Sequence, residues 1–374
     1  MPRVLVADDQ PDILQALRFL LTELRCDIDL VSSVDDVMAH LTRETYDLLL
    51  MDLNYTRDTT SGREGLALLD RAHTHDPALP IVVMTGWGSI DTAVEAMRRG
   101  AKSFVQKPWE DSVLVEIVER ELADGTALRQ RDARHAREQE DARLIQRALI
   151  PSTMPHLAGC DIGARWQPAS GIGGDCYDML RFSDTRMGVT IADVVGKGLP
   201  AALLMSNLQA AVRAFATDGA PTRDVVTKVN RLLSRNISAG KFVTFCYAVI
   251  DAAAGTIDFA NAGHNPPLLL RANGEVDALA ATGVVLGVFP DGCYESRTMA
   301  FGAGDRLIFY TDGITEASDA LGKEFGEDRL IDTVRGCGPA APAATIVDAV
   351  TTAVARWTGG AVQDDATLIV ITRG

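Results

Sequence analysis

The sequence predicts two unlike domains joined by a charged helix. The first is an α/β domain with a doubly wound parallel sheet, and the second is an α+β domain built on antiparallel strands. Three patterns predict this. Short, near-continuous apolar segments alternate with amphipathic ones over residues 1–122, as in a parallel sheet covered on both faces. Strand-like segments separated by Gly, Asn and Pro turns follow one another over residues 156–374. Between them runs a stretch rich in arginine and acidic residues and free of proline. For a chain of 374 residues, surface-to-volume scaling also favours two cores over one.

In the first domain, segments 3–7 (RVLVA), 47–51 (DLLLM), 81–85 (IVVMT) and 103–106 read as strands, and 13–24 and 90–99 as helices. From 119 to 147 arginines and acidic residues balance, and Gly125 is the one helix-weakening residue. Leu144, Ile145, Ala148 and Leu149 give this helix an apolar end. Residues 129–141 offer only alanines such as Ala133 and Ala136, a weak coiled-coil seam at best. Pro151 and Pro155 stop it, so a helical linker is placed at 123–155. Beyond it, 242–251, 256–260, 268–271 and 306–311 read as strands. Two helical stretches, 199–216 and 222–237, interrupt them.

The formal net charge is −15. Such a surface repels nucleic-acid phosphates and anionic membranes, so neither is an expected partner. No signal-peptide pattern opens the sequence, and no apolar run reaches the ~18 residues needed to span a bilayer. A cytoplasmic protein is expected, with its six cysteines reduced and structural.

In an open parallel sheet, functional groups gather at the carboxyl ends of the strands. Here those ends carry Asp8 and Asp9, Asp52, Thr85 and Lys107. Two or three carboxylates suit Mg²⁺, one carboxylate can accept a phosphoryl group, and a hydroxyl and an ammonium can hold its oxygens. Through VLVADD, DLLLMDLN, IVVMTGWG and FVQKPW, residues 3–122 resemble the receiver domains of two-component response regulators. The resemblance implies a five-stranded sheet with Asp52 as phosphoacceptor. It also implies Mg²⁺ held by Asp8, Asp9, Asp52 and the Asn54 carbonyl, with Thr85 and Lys107 on the phosphate and Phe104 as the switching aromatic. Phe104 read alone is equally a core aromatic. The long loop NYTRDTTSGREG after Asp52 departs from most receivers and looks like that of NtrC-like activators.

In the second domain four motifs stand out: Gly173-Gly174-Asp175 with Tyr177-Asp178, Ile191 to Gly198 (IADVVGKG), Tyr310-Thr311-Asp312-Gly313, and Gln363-Asp364-Asp365-Ala366-Thr367. Each sets an aspartate beside glycine or at a strand edge. Converging carboxylates repel unless cations neutralise them. Oxygen-only ligands favour Mg²⁺ or Mn²⁺, and two such ions can clamp a phosphoryl group. With IQRALIPSTMP, NAGHNPPLLL and the motifs above, residues 144–374 resemble the SpoIIE/RsbU branch of the metal-dependent PPM protein phosphatases. The resemblance implies an antiparallel β-sandwich flanked by helices and two Mn²⁺ or Mg²⁺ ions. Asp193 would bridge them with the Val194 carbonyl, Asp312 and Asp364 would complete one, and Asp175 would approach the other. Asp365 is an alternative to Asp364. Many PPM members carry a histidine just after the bridging aspartate. Here Val194-Val195 stand there, which leaves Lys197 and His264 as candidates for phosphate contact or proton supply.

Together these readings imply a response regulator whose output is dephosphorylation of phosphoserine or phosphothreonine on a partner, an anti-sigma-factor antagonist by likeness to this branch. A sensor histidine kinase would phosphorylate Asp52, and the linker would pair in a homodimer. Two other readings are weighed: a non-catalytic adaptor that binds a sigma factor or anti-sigma pathway protein, and a transcription factor. Retention of all four acidic motifs disfavours the first. The acidic charge and the lack of a basic helix-turn-helix disfavour the second.

Overall fold

The computed structural model describes residues 1–55, 62–86, 90–169, 171–237, 240–361 and 363–374. The chain divides into two compact units, Met1–Arg137 and Glu138–Gly374.

The first unit alternates β1 (Arg3–Ala7), α1 (Pro11–Leu21), β2 (Asp27–Val31), α2 (Val34–Arg43), β3 (Leu48–Asp52), α3 (Arg63–His75), β4 (Ile81–Thr85), α4 (Ile90–Arg98), β5 (Ser103–Gln106) and α5 (Asp111–Leu149). The five strands form one parallel sheet in the order β2-β1-β3-β4-β5. Strand side chains alternate between faces, and this sorts the core into two halves. Leu5, Leu49, Met51, Ile81 and Val83 meet Val37 and Leu41 of α2 and Leu68 and Leu69 of α3. Val4, Val6, Leu48, Leu50, Val82 and Met84 meet Leu14 and Leu17 of α1 and Leu114 and Val118 of α5. The doubly wound expectation holds. The sequence reading passes over β2 because its DIDLV alternates acids with apolar residues. It is an edge strand with only Val31 buried, so no continuous apolar run marks it. Within the long loop after Asp52, residues 56–61 lie outside the described residues. So do 87–89, which include Trp87 and Gly88 of IVVMTGWG.

Helix α5 runs unbroken through position 122. Its early turns belong to the first unit: Leu114, Val118 and Leu122 are buried there, and Arg129 donates to Asp47 Oδ1 (3.0 Å) and the Tyr46 carbonyl (2.7 Å). Residues 131–140 are all solvent-exposed.

The second unit continues with β6 (Cys160–Gln167), β7 (Cys176–Arg181), β8 (Arg186–Val194), α6 (Leu199–Phe215), α7 (Thr222–Asn236), β9 (Val243–Asp251), β10 (Thr256–Ala262), β11 (Leu268–Leu270), β12 (Val276–Ala278), β13 (Arg297–Ala300), β14 (Arg306–Tyr310), α8 (Asp312–Thr315), α9 (Gly326–Gly336), α10 (Ala343–Trp357) and β15 (Ala366–Arg373). Two antiparallel five-stranded sheets result, β13-β10-β9-β8-β7 and β12-β11-β14-β15-β6. Leu307, Phe309, Ile369 and Ile371 of one share a core with Val189, Ile191, Phe245 and Tyr247 of the other. The alternate residues Ile308, Tyr310, Leu368 and Val370 face α9 and α10, while α6 and α7 pack on β8, β9 and β10. The result is a β-sandwich with helices on both outer faces.

The sequence reading finds α6 and α7 but not α9 and α10. In α10 the β-branched residues of AATIVDAVTTAVARW lower helix propensity, although Ala343, Ile346, Val347 and Val350 line one buried face. Among the described residues no helix is long and apolar enough to cross a membrane, and all six cysteines are unpaired.

Gly65 of α3 shows how closely helix and sheet approach. A Cβ there would fall 2.4 Å from the Leu53 Cα and carbonyl oxygen. Alanine normally stabilises a helix over glycine by about 1 kcal/mol, but overpacking against main chain costs about 1–3 kcal/mol. Gly65→Ala is therefore expected to lower the melting temperature of the first unit in calorimetry of the whole chain; a higher temperature would contradict this packing.

Candidate active site and phosphoacceptor site

In the first unit the parallel strands deliver acids to one end of the sheet. Asp52 is the last residue of β3, and Asp8 and Asp9 follow β1. Asp8, Asp9 and Asp52 each present a carboxylate oxygen within 4.8 Å of the others. At an effective dielectric of 20, like charges at such a spacing repel by roughly 3–4 kcal/mol per pair. Lys107 offsets part of this, donating from Nζ to Asp8 Oδ2 (2.6 Å) and Asp52 Oδ2 (2.7 Å). Burial alone would lower its pKa, but hydrogen bonds to Asp52 and Asp8 outweigh that and keep the ammonium charged. Burial raises the Asp52 carboxyl, against the pull of Lys107. Three carboxylates against one ammonium leave an uncompensated negative pocket. Asp9 Oδ1 and Asp52 Oδ1 are buried acceptors without a hydrogen-bond partner. An oxygen-only, net-negative pocket with free acceptors fits a hard divalent cation.

Thr85, the last residue of β4, is buried, and its carbonyl accepts from the Lys107 N–H at 2.7 Å. The Asn54 backbone lies against the Asp52 carboxylate. Phe104 is 46% exposed, so it is not a core aromatic. No motif marks Tyr55 in the sequence, beyond its neighbour Asn54. It is buried, and burial and then the Asp52 charge push its hydroxyl pKa upward.

In the second unit the motif aspartates gather at one end of the sandwich. Asp175 precedes β7, Asp193 lies near the end of β8, Asp312 follows β14, and Asp364 and Asp365 precede β15. Asp175 is fully buried. Its Oδ2 accepts from Thr311 Oγ1 (2.6 Å) and Thr367 Oγ1 (2.7 Å), both from the opposite sheet, and its carbonyl accepts from Trp166 Nε1 (3.0 Å). Burial, and then the Asp193 charge, raise its carboxyl well above the usual range. Asp193 is pushed up to about 7 by burial and by Asp312, Asp364 and Asp365. Asp312 is raised by burial and by Asp364. Burial and neighbouring charge both disfavour the ionised form of these carboxylates, a cost that a cation would offset, and the all-oxygen donor set suits Mg²⁺ or Mn²⁺.

The glycines of the motifs serve close approach. A Cβ on Gly313 would lie 2.0 Å from the Asp365 carbonyl oxygen, one on Gly173 2.5 Å from Asp365 Oδ2, and one on Gly174 2.6 Å from the Val194 carbonyl oxygen. The two adjacent aspartates separate cleanly. Asp365 Oδ1 accepts from Ala169 N (2.8 Å) and Oδ2 from Gly174 N (2.6 Å), so both its oxygens hold backbone. Asp364 is half-exposed, meets Lys197 Nζ at 3.0 Å, and lines a cavity of about 270 Å³ with Asp312.

His264 is corrected as a phosphate contact. It is 2% exposed, and its Nδ1 lies 2.8 Å from Thr244 Oγ1, the residue across the ladder from Asp193. Burial pushes its pKa down to about 4, so it is neutral at physiological pH. Lys241, which no motif marks, donates to the Val195 carbonyl at 3.2 Å, on the loop that follows Asp193.

The raised Asp193 gives a signed expectation. Its folded pKa of about 7 exceeds the unfolded value near 4. Metal-free stability is therefore lost as pH rises from about 4 to about 7, by at most about 4 kcal/mol. In chelator, the second unit of wild type should lose more melting temperature across that window than Asp193→Asn, and Mn²⁺ should restore it most at the alkaline end. Parallel curves for the two proteins would contradict the assignment.

Comparison with known proteins agrees with both halves. The family model described as Stage II sporulation protein E (SpoIIE) matches residues 183–374, and that of the response regulator receiver domain matches residues 4–119. Phosphoserine phosphatase RsbU of Bacillus subtilis is 32% identical over 178 residues, 47% of this chain and 53% of RsbU. Protein IcfG of Synechocystis is 29% identical over 264 residues, 63% of this chain and 41% of IcfG. The chain thus spans about half the length of these curated relatives. The solved SiaA-PP2C domain of Pseudomonas aeruginosa superposes with a TM-score of 0.57 at 22% identity, covering 65% of this chain and 98% of that domain, a likeness of fold.

Proposed function

The chain belongs to the SpoIIE family, with a response regulator receiver domain ahead of that family's domain, and from this premise we propose that it is a metal-dependent protein phosphatase under receiver control. The receiver occupies 1–122, a helical linker 123–155 and the phosphatase 156–374. One observation carries the reading: Asp193, Asp312 and Asp364 come together from three distant segments beside Lys197, where burial and then the charges of Asp312 and Asp364 raise the Asp193 carboxyl, and burial and then the Asp364 charge raise that of Asp312.

Asp193, the Val194 carbonyl, Asp312, Asp364 and Asp175 would hold two Mn²⁺ or Mg²⁺ ions. When bound, such a pair activates water and offsets phosphoryl charge. The other roles fall to the chain itself. Asp365 and the motif glycines hold the ligand-bearing loops in register. Lys197 stands at the exposed rim, where its ammonium reaches Asp364 or an incoming phosphoryl oxygen. The substrate class is phosphoserine or phosphothreonine on a partner protein, in line with the name of the relative RsbU. An anti-sigma-factor antagonist is the substrate that likeness to this branch favours.

Control begins at the receiver. A sensor histidine kinase would phosphorylate Asp52, with Mg²⁺ held by Asp8, Asp9 and the Asn54 carbonyl, Lys107 and Thr85 holding the phosphoryl oxygens, and Phe104 reporting the change on the surface. The exposed stretch 131–140 of α5, with Leu144 and Ile145 exposed after it, supports pairing of linkers in a homodimer. A marginal seam of this kind is one that a few kcal/mol can shift.

Two measurements test this. Mn²⁺-dependent release of phosphate from candidate phosphoproteins should fall at least 100-fold in Asp193→Ala and in Asp364→Asn; equal rates would leave the adaptor reading instead. Beryllofluoride should change the phosphatase rate and the sedimentation of wild type but not of Asp52→Asn. No change in either quantity for wild type would sink receiver control while leaving the phosphatase intact.

A further inference from the structure

Gln146 stands in the last turns of α5, close behind the exposed stretch 131–140, yet it is 2% exposed. Buried amides need partners, and this one has a matched pair. Its Nε2 donates to the Gly173 carbonyl at 2.6 Å, and its Oε1 accepts from the Gly173 N–H at 3.0 Å. The side chain thus pairs with both backbone groups of one residue, as a neighbouring strand would. Nε2 also lies 3.2 Å from Met205 Sδ in α6, and Gln209 of α6 donates to the Leu149 carbonyl at the end of α5 (2.7 Å).

Gly173 has little room to move independently. Its Cα faces the Asp365 carboxylate, Gly174 N donates to that same carboxylate, and Gly174 lies against the Val194 carbonyl. Asp175 follows directly. A displacement of the last turns of α5 therefore reaches Asp175 and the Val194 carbonyl through two residues of backbone.

We propose that Gln146 is a positioning residue for the metal centre: its amide fixes the Gly173–Gly174 backbone so that Asp175 and the Val194 carbonyl stand where cations bind. The inference rests on the metal-dependent phosphatase reading and gives its control a physical link. The helix that carries Gln146 begins in the core of the first unit, at Leu114 and Val118. Both Gln146 and Asp175 precede residue 183, where the family match begins.

The test is direct Mn²⁺ binding to the full chain, followed by the electron paramagnetic resonance signal of free Mn²⁺. Asp9→Asn is present in every protein compared, to silence the acidic pocket of the receiver. Gln146→Met keeps the length and the contact with Met205 and removes both hydrogen bonds to Gly173. It should weaken Mn²⁺ binding by about tenfold or more, the usual effect of losing a residue that orients a ligand. The phosphatase rate at saturating Mn²⁺ should stay within about twofold of wild type, the split expected when a variant alters assembly of the site and leaves the assembled site intact. Gln146→Asn, one methylene short, should behave alike if the methionine variant does not fold. Gln209→Met, which loosens α5 on α6 without touching Gly173, should bind Mn²⁺ like wild type. A wild-type isotherm for Gln146→Met overturns the proposal, and so does equal weakening in Gln209→Met. Loss of Mn²⁺ binding in Asp193→Ala, with no phosphoprotein turned over by wild type, would instead fail the phosphatase reading and leave the binding result to judge Gln146.

Discussion

Asp175 is the constraint around which the second unit is arranged. A carboxylate without solvent access costs several kcal/mol unless something compensates it. Two hydroxyls, from Thr311 and Thr367, compensate it in part, and both come from the sheet opposite its own. One buried oxygen therefore ties the two halves of the sandwich together at the end where the other acids collect. Burial, and then the Asp193 charge, still raise its carboxyl above the usual range, so the hydroxyls offset only part of the cost.

The two acidic sites of the chain solve the same electrostatic problem differently. The receiver pocket carries its own partial counter-ion: Lys107 bridges Asp8 and Asp52 from within, and the three carboxylates already stand within 4.8 Å. Among its described residues the acidic end of the second unit has no such internal cation. Lys197 is half-exposed, and its ammonium meets Asp364 at 3.0 Å and the Gln363 carbonyl at 3.4 Å. In the first site the three carboxylates stand together around an internal ammonium, whereas in the second, burial and neighbouring carboxylate charge raise Asp193 and Asp312.

Much of this was legible in the sequence. Alternation of apolar segments announced the parallel sheet, and Asp52, Thr85 and Lys107 sit at the strand ends where that architecture requires them. Ordered aspartate motifs announced the second site. Other features required coordinates. Edge strand β2 hides its apolar residues between acids. Helix α10 is rich in residues that favour strands. His264 reads as a turn residue, and only packing shows it buried under the ladder beside Thr244. Gln146, Thr311 and Thr367 are uncharged residues whose importance comes from what faces them, a long-range fact that local patterns do not carry. The choice between Asp364 and Asp365 is of the same kind. As letters they are equivalent, and only the amides of Ala169 and Gly174 distinguish them.

That last distinction reaches beyond this chain. When a duplicated gene drifts from catalysis toward pure binding, its two neighbouring aspartates face unequal selection. Loss of the first removes a charge from an exposed rim and one hydrogen bond, from the adjacent Asp365 N–H. Loss of the second strips two backbone amides of their acceptor and endangers the scaffold itself. Descendants that have become non-catalytic partners should therefore erode at the first position while keeping the second, a sequence footprint by which decayed enzymes can be told from working ones.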